Sequence, residues 1–229
     1  VLLVRHGRTT ANASGVLAGW TPGVHLDDTG RAQAAALGQR LAAVPLAAVV
    51  TSPLERTRET AQQLLDARTD EVALRLDDRL GEAHYGQWTG RALKDLGKDP
   101  QWAVVQAHPS AAVFPGPDGE AMAAMAARAV AAVREHAEQA GDATIVVVSH
   151  GDVIKAVLAD ALGLHLDLFQ RLQVDPASLS VVRYTRLRPF VERLNDTGGS
   201  VAALLPPAKR GRRRKPSSDA VVGGGAGAS

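Results

Sequence analysis

"ATIVVVSHGDVIKAVLADALG", residues Ala143 to Gly163, sets the architecture of this chain. Ile145 to Val148 is a continuous apolar run rather than an alternation of apolar and polar residues. That is the pattern of a central strand covered on both faces. The run ends in Ser149-His150-Gly151 and passes straight into the helical pattern of "DVIKAVLADALG". "VLLVRH" (Val1–His6) is a second apolar strand ending in polar residues.

The same alternation continues elsewhere. "LDDTGRAQAAALGQRLAAV" predicts a helix with Asp27 as its N-cap and Ala34, Leu37 and Leu41 on one face. "LAAVVTSP" (Leu46–Pro53) predicts a buried strand, followed by the charged helix "LERTRETAQQLLDA". "VALRLDDRLGE" is a third strand candidate, and "GEAMAAMAARAVAAVREHAEQAG" a long helix ending at Gly141. "SLSVVRYT" and "PFVERLND" are the closing strands. Strand and helix in turn predict an α/β fold, a three-layer α/β/α sandwich with a mostly parallel central sheet. Residues 13–25 and 97–119 carry no pattern clear enough to assign. A catalytic domain over residues 1–203 and a basic, Gly-rich disordered tail over 204–229 are the expected divisions.

Composition narrows the function. The 229 residues suit one sizeable domain, and 45% are hydrophobic but only 3% aromatic, so alanine, valine and leucine must fill the core. There is no cysteine, which excludes disulfides, thiolate metal sites and a cysteine nucleophile. No run approaches the ~18 apolar residues of a membrane span, and no signal-peptide pattern opens the sequence, so a cytoplasmic protein is expected. The net charge of +2 hides an uneven spread: "KRGRRRK" (Lys209–Lys215) holds six cations, and the rest is mildly acidic. A basic tail of this kind is usually solvated, so nucleic acid is not the expected partner.

Chemistry gathers at the strand ends. Arg5-His6-Gly7 closes the first strand, Arg56 follows the second, Glu82 the third, and His150-Gly151 the fourth. In open α/β sheets ligands bind outside the carboxyl ends of the strands, so these residues converge. The helix opening at Gly151 adds backbone N–H donors there. Arginine forks suit phosphate oxygens. A histidine kept neutral by adjacent cations suits nucleophilic attack on phosphorus. A second histidine stabilises developing charge, and a carboxyl group protonates the leaving oxygen and later activates water. The rival chemistry is a zinc site at His6, His150 and Glu82, which two arginines in the same pocket oppose. No metal or cofactor is therefore expected.

"LVRHGRTTAN", "SPLERTRETA", "GEAHYGQWTG" and "VVVSHGD", in this order, resemble the histidine phosphatase superfamily, the phosphoglycerate-mutase-like proteins. The resemblance covers roughly residues 1–196. It implies a phosphohistidine intermediate on His6, a phosphate pocket of Arg5, Arg56 and His150 assisted by Asn12, and Glu82 as general acid and base. It also implies Tyr85 at the pocket mouth and, from the frequency of dimers in the family, a homodimer. Arg8 departs from the glutamate usual in the mutases, and Ala121 lacks the hydroxyl usual before the long helix. Neither change touches the core chemistry, but both bear on substrate contacts.

Residues 83–149 are short for a mutase and contain only Arg91, Arg128 and Arg134, none adjacent to another. Charge to clamp a carboxylate or second phosphate is sparse. The expectation is a phosphomonoesterase acting on a small phosphorylated metabolite. The alternatives are a phosphoglycerate-type phosphomutase and a non-catalytic phosphate-binding scaffold using its basic tail.

Overall fold

A computed structural model of the chain describes residues 1–198. The proposed tail at 204–229 lies outside the described residues. Six strands form one sheet: β1 (Leu2–Arg5), β2 (Ala48–Thr51), β3 (Ala73–Leu76), β4 (Ile145–Ser149), β5 (Leu179–Arg183) and β6 (Phe190–Asp196). Their order is β3-β2-β4-β1-β5-β6. The first four are mutually parallel, and β5 and β6 add an antiparallel edge. The mostly parallel sheet expected from the alternation is present.

Alternate residues of the strands feed two cores. Leu3, Val50 and Val147 face one layer, with Met125, Ala129 and Val133 of α6 (Met122–Ala140) and Ile154 and Val157 of α7 (Gly151–Leu162). Leu2, Val4, Val49, Val146 and Val148 face the other, with Leu37 and Leu41 of α2 (Asp28–Leu41) and Ala61 and Leu64 of α3 (Glu55–Asp66). β1, β2 and β4 are buried throughout, which explains their unbroken apolar runs. Alanine does much of the packing, with Ala34, Ala61, Ala129 and Ala132 inaccessible. Half of the few aromatics extend the first of these cores: Tyr85, Trp88, Trp102 and Phe114, from the segment between β3 and α6, meet in edge-on or tilted pairs. That segment also contains the short helices α4 (Leu93–Leu96) and α5 (Pro100–Ala107).

Local rules set the joints. Asp27 caps α2 by accepting from the Gly30 N–H at 2.7 Å, as its sequence position predicts. The third strand is shorter than expected. It stops at Leu76, and Asp77 accepts from the Arg79 N–H to start a 3-10 turn at Asp78–Leu80, which delivers Glu82. The loop after β1 packs on α2 through two glycines. A Cβ on Gly7 would stand 2.4 Å from the Gly30 carbonyl oxygen, and one on Gly30 would stand 1.9 Å from the Arg8 carbonyl oxygen. Both obstacles are backbone and cannot turn aside. Gly30→Ala is therefore expected to cost about 3 kcal/mol, the upper part of the overpacking range. Urea unfolding checks this, and a midpoint within error of the parent would show that the loop yields.

Candidate active site

The carboxyl ends of β1, β2 and β4 bring the strand-end residues together. His6, Asn12, Arg56, Glu82 and Tyr85 line one pocket, with Thr9 between them. Arg5 and His150 are fully buried beside it, and Gly151 opens α7 immediately behind His150. None of these last three lines the open cavity. The His6 and His150 rings meet edge to face with centroids 5.3 Å apart.

Hydrogen bonds fix what each group offers. His6 Nδ1 lies 2.7 Å from the Gly7 carbonyl oxygen, so it carries the ring proton and donates it there. Nε2 is left with its lone pair. Burial, then Arg56 and Arg5, holds the His6 pKa well below the usual histidine range, so the ring is neutral at pH 7. The Gly7 N–H in turn donates to Thr60 Oγ1 at 3.0 Å, which ties the nucleophile's loop to α3. Arg56 Nη2 donates to the Gly19 carbonyl oxygen at 2.9 Å and to His150 Nδ1 at 3.2 Å. Arg56 Nη1 is buried and has no hydrogen-bond partner among the described residues. A buried guanidinium N–H without a partner is costly, and an anion in the pocket relieves that cost.

Asn12 Oδ1 accepts from the Thr9 N–H and hydroxyl in a capping box at the start of α1 (Thr10–Ser14). Its Nδ2 is the donor remaining for a ligand. The Glu82 carboxyl accepts from the Ala83 N–H at 3.0 Å. Its pKa is pushed up to about 7, first by burial and then by Asp152, against the opposing pull of Arg56 and Arg5. A carboxyl group poised there gives up a proton and takes one back near neutrality.

His150 is held by side chains on both ring nitrogens. Its Nδ1 accepts from Arg56, so the proton sits on Nε2 and is donated to Ser52 Oγ at 2.8 Å. The Ser52 hydroxyl thus fixes both the orientation and the tautomer of the ring. Ser52→Ala is expected to lower kcat about tenfold, the worth of one such bond. The distinguishing readout is the 15N spectrum of His150, which should show the Nε2–H form in the parent and lose that preference in Ser52→Ala.

Four residues act here without having been singled out for this role in the sequence. Ser52 sits in "TSPLERTRET", where proline and arginine draw the eye. Trp20 donates from Nε1 to the Glu82 carbonyl oxygen at 2.6 Å. Arg128 reaches the same oxygen at 3.0 Å from α6, and together they clamp the backbone that carries the acid. Asp152 is fully buried one residue beyond Gly151 and accepts from the Tyr85 hydroxyl at 3.2 Å. His84 stacks on Trp20 with centroids 4.5 Å apart. His25, His108, His136 and His165 each lie against a carboxylate away from the pocket. No helix among the described residues is long and apolar enough to cross a membrane.

Known proteins place this arrangement. The family model for the histidine phosphatase superfamily (branch 1) matches residues 1–197. Phosphoserine phosphatase 1 of Hydrogenobacter thermophilus is 31% identical over 202 residues, covering 86% of this chain and 92% of that protein. The 2,3-bisphosphoglycerate-dependent phosphoglycerate mutase 2 of Gloeobacter violaceus is 30% identical, covering 76% of this chain and 81% of its own. Among solved structures, YhfR of Bacillus stearothermophilus superposes with a TM-score of 0.78 at 28% identity, over 85% of this chain and 96% of that one. A mycobacterial glucosyl-3-phosphoglycerate phosphatase gives a TM-score of 0.75 at 26% identity, over 86% and 98%. This chain belongs to the histidine phosphatase superfamily, branch 1.

Proposed function

We propose that the protein is a phosphomonoesterase that hydrolyses a small phosphorylated metabolite through a phosphohistidine on His6. The observation that carries this is the pairing of two groups. His6 presents a neutral ring with Nε2 unbonded, and Arg56, which lines the same pocket, has a buried Nη1 with no hydrogen-bond partner among the described residues. Nε2 attacks phosphorus while Arg56 and the Asn12 amide hold the transferred oxygens, with the charge of Arg5 and the His150 ring buried behind them. Glu82, protonated below about pH 7, gives its proton to the leaving alkoxide. The resulting carboxylate then takes a proton from water, which attacks the phosphohistidine and releases phosphate. Charge on the transferred group is met by the guanidinium groups, so the step calls for no metal ion.

Hydrolysis is favoured over transfer by the fate of the arginines between Glu82 and His150. Arg128 is paired with Glu120 and bonded to the carbonyl oxygens of Arg79, Gly81 and Glu82. Arg134 is paired with Asp160, and Arg91 lies 3.8 Å from Asp99. None lines the pocket to hold a second acidic group for re-attack. The test is phosphate release from an aryl phosphate in the presence of EDTA. Sustained release is expected, and loss of release on chelation contradicts the mechanism.

A further inference from the structure

The pocket lining is of two chemical kinds. His6, Arg56 and Glu82 form one of them. Much of the rest is built where residues 15–19 are stitched to residues 90–93. Leu17 N donates to the Arg91 carbonyl oxygen at 2.9 Å, Gly90 N to that of Leu17 at 2.7 Å, and Leu93 N to that of Gly15 at 2.8 Å. Val16 N donates to the Ala11 carbonyl oxygen at 2.9 Å. These bonds consume the N–H groups of Val16, Leu17 and Leu93, which would otherwise recognise an anion. What this wall turns to the cavity is Ala11, Val16, Leu17, Ala18 and Leu93.

Arg56 is the only lysine or arginine lining the pocket among the described residues. Arg8, close in sequence, is bound to Asp27 and Thr29 at 2.8 Å each. Arg91 is turned toward Asp99. A carboxylate or second phosphate on the leaving alcohol would lose water against these methyl groups and find no cation beyond Arg56 among the described lining residues. An apolar group would bury favourably against the same methyl groups.

We propose that the leaving group is an uncharged alcohol with an apolar body, rather than a hydroxy acid or an alcohol carrying a second phosphate. This rests on the phosphomonoesterase reading above and adds the side of the substrate that the phosphate contacts do not define. It separates the chain from relatives whose names denote carboxylate-bearing substrates, such as phosphoserine and phosphoglycerate.

The experiment compares kcat/KM for butyl phosphate and 3-phosphoglycerate, two alkyl esters whose leaving groups differ chiefly in charge, with an aryl phosphate alongside. Butyl phosphate is expected to exceed 3-phosphoglycerate by about tenfold or more, the discrimination a pocket of this kind supplies. Ala18→Lys, which places a cation on the apolar wall, is expected to narrow that ratio by raising turnover of 3-phosphoglycerate. If 3-phosphoglycerate equals or exceeds butyl phosphate, the preference for an uncharged alcohol is wrong while the phosphatase reading stands. If none of the three esters releases phosphate, both fall together.

Discussion

His6→Ala is expected to lower phosphate release by at least about four orders of magnitude, since nothing else in the pocket can take over as the nucleophile. Among the described lining residues, much of Glu82 is protonated near neutrality, with a pKa of about 7, and the hydroxyls of Tyr85 and Thr9 are engaged with Asp152 and Asn12. His150 is fully buried and already bonded at both ring nitrogens, to Arg56 and Ser52. The substitution removes a ring that touches His150 at a centroid distance of 5.3 Å, so some loss of stability accompanies it. A circular dichroism melt beside the rate separates the two effects. A folded His6→Ala protein retaining more than about one per cent of parental kcat contradicts the nucleophilic role.

Glu82→Gln has the second largest expected effect, and its size depends on the substrate. A positioned acid is worth about 10² to 10⁴ in rate when the leaving oxygen needs a proton. An alkyl phosphate should therefore lose at least about a hundredfold in kcat, and an ester of a nitrophenol less than about tenfold in its first step. The pH dependence follows from the raised pKa of about 7. The acid form is needed for the first step, so kcat/KM for an alkyl ester falls as pH rises through that value. On the acid side the fall comes from protonation of His6, whose depressed pKa moves that limb below the ordinary histidine range. Glu82→Gln removes the alkaline limb and leaves the acid one. An equal loss for alkyl and nitrophenyl esters, with both limbs intact, would assign the proton transfer to another group.

Much of this site was legible because the fold does the gathering. A parallel strand buried on both faces reads as an apolar run, and its last residue is at the sheet's carboxyl edge wherever it lies in the chain. Arg5-His6 and Ser149-His150 could thus be placed together from sequence, and β1 and β4 pair with Arg5 opposite Ser149. The Asp27 cap was legible for the same kind of reason, since a cap is set within a few residues.

What escaped depends on contacts between distant segments. Trp20 meets Glu82 across a separation of 62 residues, and nothing local to "AGWTPG" signals it. The Ser52–His150 bond spans 98 residues and sets a tautomer, which no pattern of residue types encodes. The segment after Glu82 was left unassigned although a local signal was present. Asp99-Pro100 starts α5, with Asp99 accepting from the Gln101 N–H at 3.0 Å and proline at the first helical position. Its shortness and the absence of a long apolar periodicity hid it.

The central claim is a covalent phosphoryl group on one named nitrogen, and trapping it is the most direct test. The protein is mixed with an aryl phosphate, denatured in alkali within the first turnovers, and its N-terminal peptide is analysed by mass spectrometry. The account predicts one added phosphoryl group on His6, acid-labile and alkali-stable, which disappears when substrate is exhausted. Its level should rise in Glu82→Gln with a nitrophenyl ester, because breakdown of the intermediate then lacks its base. Steady turnover with no label on His6, or a label on another residue that keeps pace with turnover, would contradict the account.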